Sequence, residues 1–224
     1  MGGNIKMTYN ILHKMAVAAS VALGACGGVQ EKETTMSQME FVDIQTVDSS
    51  ILLDIRYATS NNFTGKVVYP VAKCYLRTNV AERLARVQQD LKQEGLGLKV
   101  FDCYRPFSIQ QKFWAIVPNE DYVAKPVADA QGKLVQGSKH NRGAAVDLTL
   151  VDRVGQEVEM PTGYDDFTEK AHRSYQGNTV MAQKNMKKLE DVMTKHGFEP
   201  LPSEWWHFDG PGWQKYALSD FPIK

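Results

Sequence analysis

Apolar residues recur every three or four positions at Val80, Leu84, Val87 and Leu91, which predicts an amphipathic helix running to Glu94. Thr78 or Asn79 can cap its start, and Gly95 stands just past its end. The same spacing at Ala182, Met186, Leu189 and Met193 predicts a second long helix over 179–196, stopped by Gly197. A shorter helix is expected from Ser108, carrying Ile109, Phe113 and Ile116. Alternating or continuous apolar runs predict strands at 41–44, 51–56, 96–101 and 144–151. A returning strand is expected at 156–160, and a short aromatic one at 204–208. Residues 61–65 read as a loop, and 118–138 as a long one without clear period. Strands separated by helices and hairpins in this order predict a single α+β domain, its mainly antiparallel sheet flanked by helices.

The N-terminal pattern differs. Lys6, His13 and Lys14 precede an apolar run over 15–25 that is too short to span a bilayer and has the form of an export leader. Its end, Leu23-Gly24-Ala25-Cys26, resembles the bacterial lipobox, in which the cysteine is lipidated; an ordinary signal peptide beside a chance cysteine is the alternative. Residues 27–37 are polar and Gly-containing, as a flexible tether is. The expected division is a lipoprotein signal peptide at 1–25, a tether at 26–38 and one domain at 39–224. The chain would then be exported and lipid-anchored to the cell envelope through Cys26, and Gly27 favours the periplasmic face of the outer membrane.

Composition narrows the function. Hydrophobic content of 43% and charged content of 23% are ordinary for a globular domain. Lys plus Arg and Asp plus Glu both number 26, and losing the leader removes Lys6 and Lys14, so no basic field invites nucleic acid. Beyond Cys26 there are two cysteines, Cys74 and Cys103. In an exported protein such a pair invites a disulfide; two separate buried thiols are the alternative.

Candidate chemistry gathers at two histidines. His13 lies in the leader, His196 at a helix end where a cation suits the dipole, and His172 in a polar segment. His140 stands in Ser-Lys-His-Asn-Arg-Gly-Ala-Ala-Val-Asp, which ends in Asp147 inside an otherwise apolar strand. A buried lone carboxylate needs a partner, either a metal or a cation such as Arg142. His207 lies between large aromatics, three residues after Glu204; core packing with an edge glutamate is the bland reading. Together two histidines and a carboxylate make the donor set of a hydrolytic zinc, which leaves one position for water. Glu204 is then the candidate general base. Residues three apart face opposite sides of a regular strand, so Glu204 must lie in a loop or bulge. Arg105, in Tyr-Arg-Pro at the end of a buried strand, can stabilise an oxyanion or hold a substrate carboxylate; otherwise it caps a loop.

Three segments, Asp102-Cys103-Tyr104-Arg105-Pro106, 138–150 (SKHNRGAAVDLTL) and Glu204-Trp205-Trp206-His207, resemble the signatures of VanX-type D-alanyl-D-alanine dipeptidases, in the family's order. The resemblance extends to 62–65, to Asp165-Asp166-Phe167 and to Asp220-Phe221-Pro222, over nearly all of the expected domain. It implies the fold of hedgehog-type domains and D,D-carboxypeptidases, and one zinc per chain on His140, Asp147 and His207. Glu204 would be general base and acid, Arg105 would stabilise the transition state, and Ser138 and Asp166 would hold a dipeptide. The implied reaction is hydrolysis of D-Ala-D-Ala. Alternatives are a D,D- or L,D-carboxypeptidase acting on longer wall peptides, and a zinc-stabilised module without catalysis. Cys103 stands where the family usually has glycine, which could place a disulfide beside Arg105, and Asn141 where serine is common. An export leader also departs from resistance members, which act in the cytoplasm, and it favours salvage of wall-derived dipeptides.

Overall fold

The computed structural model describes residues 1–2 and 40–224. The leader beyond its first two residues, Cys26 and the expected tether lie outside the described residues. Among the described residues no helix is long and apolar enough to cross a membrane.

Two long helices form where the spacing predicts them. Helix α2 (Thr78–Gln93) buries Val80, Leu84, Val87 and Leu91 completely. Helix α4 (Val180–Lys195) starts at Thr179, whose hydroxyl accepts from the Ala182 N–H at 3.0 Å, and buries Met186, Leu189 and Met193. They contact each other and the main sheet. Each ends at a glycine, Gly95 or Gly197, with positive φ. Helix α3 (Phe107–Ile116) follows Pro106 directly.

The main sheet has five strands in the order β2 (Leu52–Leu53), β4 (Gly97–Asp102), β7 (Ala145–Val151), β9 (His207–Asp209), β8 (Glu199–Pro200). All neighbours are antiparallel except β2 and β4. Strand β7 is buried along its whole length, as its apolar sequence requires. Two small antiparallel pairs join β1 (Phe41–Asp43) to β3 (Tyr75–Arg77) and β5 (Val127–Ala128) to β6 (Leu134–Gln136). The described residues thus make a single α+β domain.

Five expected elements differ, among them the aromatic strand expected at 204–208, in which pairing begins only at His207. Beyond β1 the chain makes a helical turn, α1 (Ile44–Val47), because the Asp43 side chain accepts from the Gln45 N–H at 3.1 Å. Of 51–56 only Leu52 and Leu53 pair in a strand; a 3-10 turn follows at Arg56–Ala58. The expected return at 156–160 is reduced to one bridge, Val151 with Glu157. The long loop 118–138 contains the β5–β6 hairpin.

Cys74 and Cys103 form a disulfide with 29 residues of separation. Closing a loop of that size stabilises by about 3–4 kcal/mol on the chain-entropy account. It ties the residue before β3 to the residue after β4, where the functional segment begins.

Candidate active site

Strand register builds the site. Strand β7 sets Asp147 opposite Asp102 of β4 on one side and opposite His207 of β9 on the other. Paired residues of adjacent strands share a face, so Asp147 Oδ1 comes 2.9 Å from His207 Nδ1. His140 arrives on the 3-10 turn Lys139–Arg142, whose first N–H groups are capped by Ser138. Its Nε2 lies 3.1 Å from His207 Nδ1 and 3.4 Å from Asp147 Oδ1. Gly143 ends that turn with φ 68°, and a Cβ there would sit 2.3 Å from the Phe41 ring. Only glycine lets the chain turn into β7 at this point.

The outer nitrogen of each imidazole is committed. His140 Nδ1 donates to the Cys103 carbonyl at 2.6 Å, so the half-cystine holds the ring. His207 Nε2 donates to Asp209 Oδ1 at 3.0 Å, and Asp209 is itself paired with Lys139. The inward nitrogens are therefore lone pairs facing each other beside a carboxylate. Three acceptors so close together need a cation between them, either a proton or a metal. Among the described residues, His140, Asp147 and His207 are a group whose ligand atoms, all within 4.8 Å of one another, could hold a metal ion.

Without a metal, the cation is a proton. Burial works against charge on His207, but hydrogen bonds to Asp147 and Asp209 outweigh it and push the imidazole up to about 10. Burial likewise opposes ionisation of Asp147, yet the neighbouring imidazoles hold its carboxyl well below the usual range. The hydrogen bonds to two carboxylates thus favour the charged ring, whereas a metal binds only the neutral one. Metal titration of the metal-free protein at pH 7 is expected to release about one proton per site. Calorimetry in buffers of different ionisation enthalpy reads this directly; heats that do not depend on the buffer would rule out the bridging proton.

These three side chains open onto a cavity of ≈ 330 Å³. Glu204 lines it, with Oε2 3.9 Å from His207 Nδ1; burial pushes its carboxyl up, although the His207 charge pulls the other way. Residues 204–206 lie in a turn before β9, so Glu204 and His207 are not held to opposite faces of one strand. Arg105 lines the cavity as well. Its Nε and one terminal nitrogen donate to Asp102 Oδ2 at 3.2 and 2.7 Å, and the other donates to Gln110 Oε1 at 2.8 Å. Burial disfavours the guanidinium, but the Asp102 charge outweighs it and keeps it firmly protonated. Its plane rests on the Phe113 ring, 4.6 Å from the centroid.

Ser138 lines the cavity, whereas Asp166 does not; the Asp166 carboxylate accepts from the Thr168 N–H at 2.9 Å in a local turn. The acid that faces the cavity is its neighbour, Asp165. Asp165 adopts φ 62°, which turns its side chain inward, where it accepts from the Tyr57 hydroxyl at 3.1 Å and the Phe63 N–H at 3.3 Å. Burial, with the Asp147 charge adding, pushes it up to about 7. Tyr57 and Tyr164 link this acid to the ligand set, since the Tyr164 hydroxyl donates to Asp147 Oδ2 at 2.9 Å and lies 3.3 Å from that of Tyr57. His196 pairs with Asp90 at 2.7 Å, and neither it nor His172 lines the cavity.

Sequence reasoning passed over Asp165, Asp102 and Asp209. Asp209 had a usable signal: it stands two residues after His207 in the same strand and so on the same face. Asp102 is fully buried and accepts from Tyr69, the Cys103 N–H and Arg105, a role that only the β4–β7 register reveals.

An α+β fold that gathers imidazoles, carboxylates and a fixed cation around one such cavity suits a hydrolase. Residues 37–221 match the family model described as D-ala-D-ala dipeptidase, and the chain belongs to that peptidase family, which has the hedgehog-like fold. It is 34% identical to the D-alanyl-D-alanine dipeptidase of Escherichia coli (strain K12), covering 80% of this chain and 89% of that protein. The D-alanyl-D-alanine dipeptidase of Enterococcus faecium is 31% identical over 84% of this chain and 100% of its own length. That of Streptomyces coelicolor is 29% identical over 82% and 98%.

Proposed function

We propose that this enzyme hydrolyses D-Ala-D-Ala to two D-alanines, using one zinc ion held by His140, Asp147 and His207. The observation that carries this reading is the convergence of those three ligand atoms beside Glu204 in one cavity. The donor set fits zinc: ligand atoms of a tetrahedral site stand about 3.3 Å apart, and the three separations here are 2.9, 3.1 and 3.4 Å. A zinc in this position supplies Lewis acidity, which makes a water acidic near neutral pH and polarises the scissile carbonyl.

The chain's own groups do the rest. The Glu204 carboxylate takes the proton of the attacking water and delivers it to the leaving amine, a task helped by the burial that brings its pKa upward. Arg105 lends a fixed positive charge to the oxygen that becomes anionic, and among the described residues its bonds use three of its five N–H groups. Asp165 offers a buried carboxylate to the substrate's free ammonium. Ser138, which lines the cavity, can add a hydroxyl contact.

Asp165 favours a dipeptide over a longer stem peptide, in which the corresponding nitrogen is an amide and brings no charge. D-Alanine release should therefore be seen from D-Ala-D-Ala and should fall sharply for N-acetyl-D-Ala-D-Ala and for a stem pentapeptide. A chelator should stop it and zinc restore it. Equal cleavage of the acetylated dipeptide would instead support the D,D-carboxypeptidase reading.

We also propose that the enzyme works outside the cytoplasm, in salvage of wall-derived dipeptides, as a lipoprotein anchored through Cys26. Two features support this: the Leu23-Gly24-Ala25-Cys26 sequence, and a buried disulfide of the kind that persists in oxidising compartments. Mass spectrometry of the envelope fraction should find an acylated Cys26; a chain with an intact, unmodified leader in the cytosol would refute it.

A further inference from the structure

The turn carrying Glu204 and His207 poses a problem that its own backbone does not solve. Its internal hydrogen bonds are few and long: Glu204 N–H to the Leu201 carbonyl and His207 N–H to the Glu204 carbonyl, both at 3.4 Å, and Leu201 N–H to the His207 carbonyl at 3.2 Å. A set of carbonyls also converges on one half-buried cation. Arg173 Nε donates to the Leu201 carbonyl at 2.9 Å, and one terminal nitrogen donates to the carbonyls of Trp205 at 2.9 Å and His207 at 3.2 Å. The other terminal nitrogen donates to Glu190 Oε2 on α4 at 3.2 Å. The Arg173 backbone N–H donates to the Pro202 carbonyl at 3.0 Å, and the guanidinium lies over the Phe208 ring at 4.5 Å from its centroid.

We propose that Arg173 is a positioning residue for catalysis, drawing the carbonyls of Leu201, Trp205 and His207 to one point so that Glu204 and His207 face the same metal. The inference rests on the zinc peptidase reading above. Arg173 does not line the cavity and so acts through the residues it holds. A planar fork satisfies three carbonyls in different directions, which a lysine ammonium on a flexible stem cannot reproduce. Glu190 anchors the fork to α4, so the turn is referenced to the helix layer as well as to the sheet. Without the guanidinium, three carbonyl oxygens lose their shared donor and the turn can relax to other shapes. The metal would then keep His140 and Asp147 but lose a fixed His207, and Glu204 would move relative to the water it serves.

The test compares Arg173→Ala, Arg173→Lys and, as a control, Arg83→Ala on α2, which gives up a bond to the His196 carbonyl at the end of α4 and lines no part of the cavity. Zinc affinity by chelator competition and kcat with KM for D-Ala-D-Ala are measured on each. Arg173→Ala should lose on the order of 10–100-fold in zinc affinity and in kcat, the range for outer partners of a metal site, with KM nearly unchanged. Arg173→Lys should fall between it and the wild type, and added guanidinium should restore part of the kcat of Arg173→Ala. A merely structural buttress would lower thermal stability without a kcat-selective loss or rescue. Wild-type zinc affinity and kcat in folded Arg173→Ala would overturn the proposal; so would wild-type values in Arg173→Lys if the alanine variant fails to fold. The affinity measurement does not depend on the substrate. A wild-type enzyme that leaves D-Ala-D-Ala intact would overturn the dipeptidase reading, and the affinity series would still decide the role of Arg173.

Discussion

Glu204→Gln is expected to lower kcat for D-Ala-D-Ala by about 10²–10⁴-fold, the usual contribution of general acid–base catalysis, while zinc stays bound at one per chain. The reason is geometric. Glu204 lines the cavity but stands outside the triangle of ligand atoms, with its Oε2 3.9 Å from His207 Nδ1. Glutamine keeps the size and the hydrogen-bonding reach of the side chain but cannot accept and return a proton. KM should change little, because the ammonium is proposed to be recognised by Asp165 instead. Loss of zinc along with activity would make Glu204 a ligand rather than a base, and near-normal turnover would remove it from the reaction.

The second large effect is expected at Arg105, where catalysis and stability are joined. Asp102 is fully buried, and Arg105 supplies its neutralising charge through two donors. Arg105→Ala strands that carboxylate, and breaking a buried pair on one side costs about 3–5 kcal/mol. In a domain of this size that corresponds to roughly a 10 °C drop in Tm. Arg105→Lys keeps the charge but not the fork. It should retain most of the stability and still lose on the order of 10²–10³-fold in kcat, as removal of an oxyanion donor does. Thermal melts and steady-state kinetics on both variants separate the two roles. Full activity in Arg105→Lys would leave Arg105 as a structural counter-ion only.

The helices and the three residues that cluster at the site were legible because each depends on a short, local pattern. Period-3.6 apolar spacing sufficed for α2 and α4, and their glycine stops are where the pattern ends. Imidazole and carboxylate in apolar settings sufficed to single out His140, Asp147 and His207, which the structure brings together. Expectations failed where burial was achieved without strand pairing. Ile51 and Ile55 are buried as an alternating strand would bury them, yet only Leu52 and Leu53 pair. Trp205 and Trp206 look β-prone, but they are buried in a turn whose carbonyls are taken by Arg173 and by the Leu148 N–H. The choice between Asp165 and Asp166 could not be made from spacing. Two adjacent carboxylates differ only in backbone conformation, and the left-handed φ of Asp165 decides which one enters the cavity. Asp102 and the Cys103 carbonyl acquire their roles through register and the disulfide, which are long-range features.

The chemistry proposed here requires one divalent ion shared by imidazoles from two distant parts of the chain. Anomalous diffraction collected at the zinc edge on crystals of the zinc-loaded protein tests this most directly. One peak is expected per chain, within bonding distance of His140 Nε2, Asp147 and His207 Nδ1, with Glu204 nearby but not coordinating. A peak held by other residues, or none on a fully loaded and active protein, would contradict it.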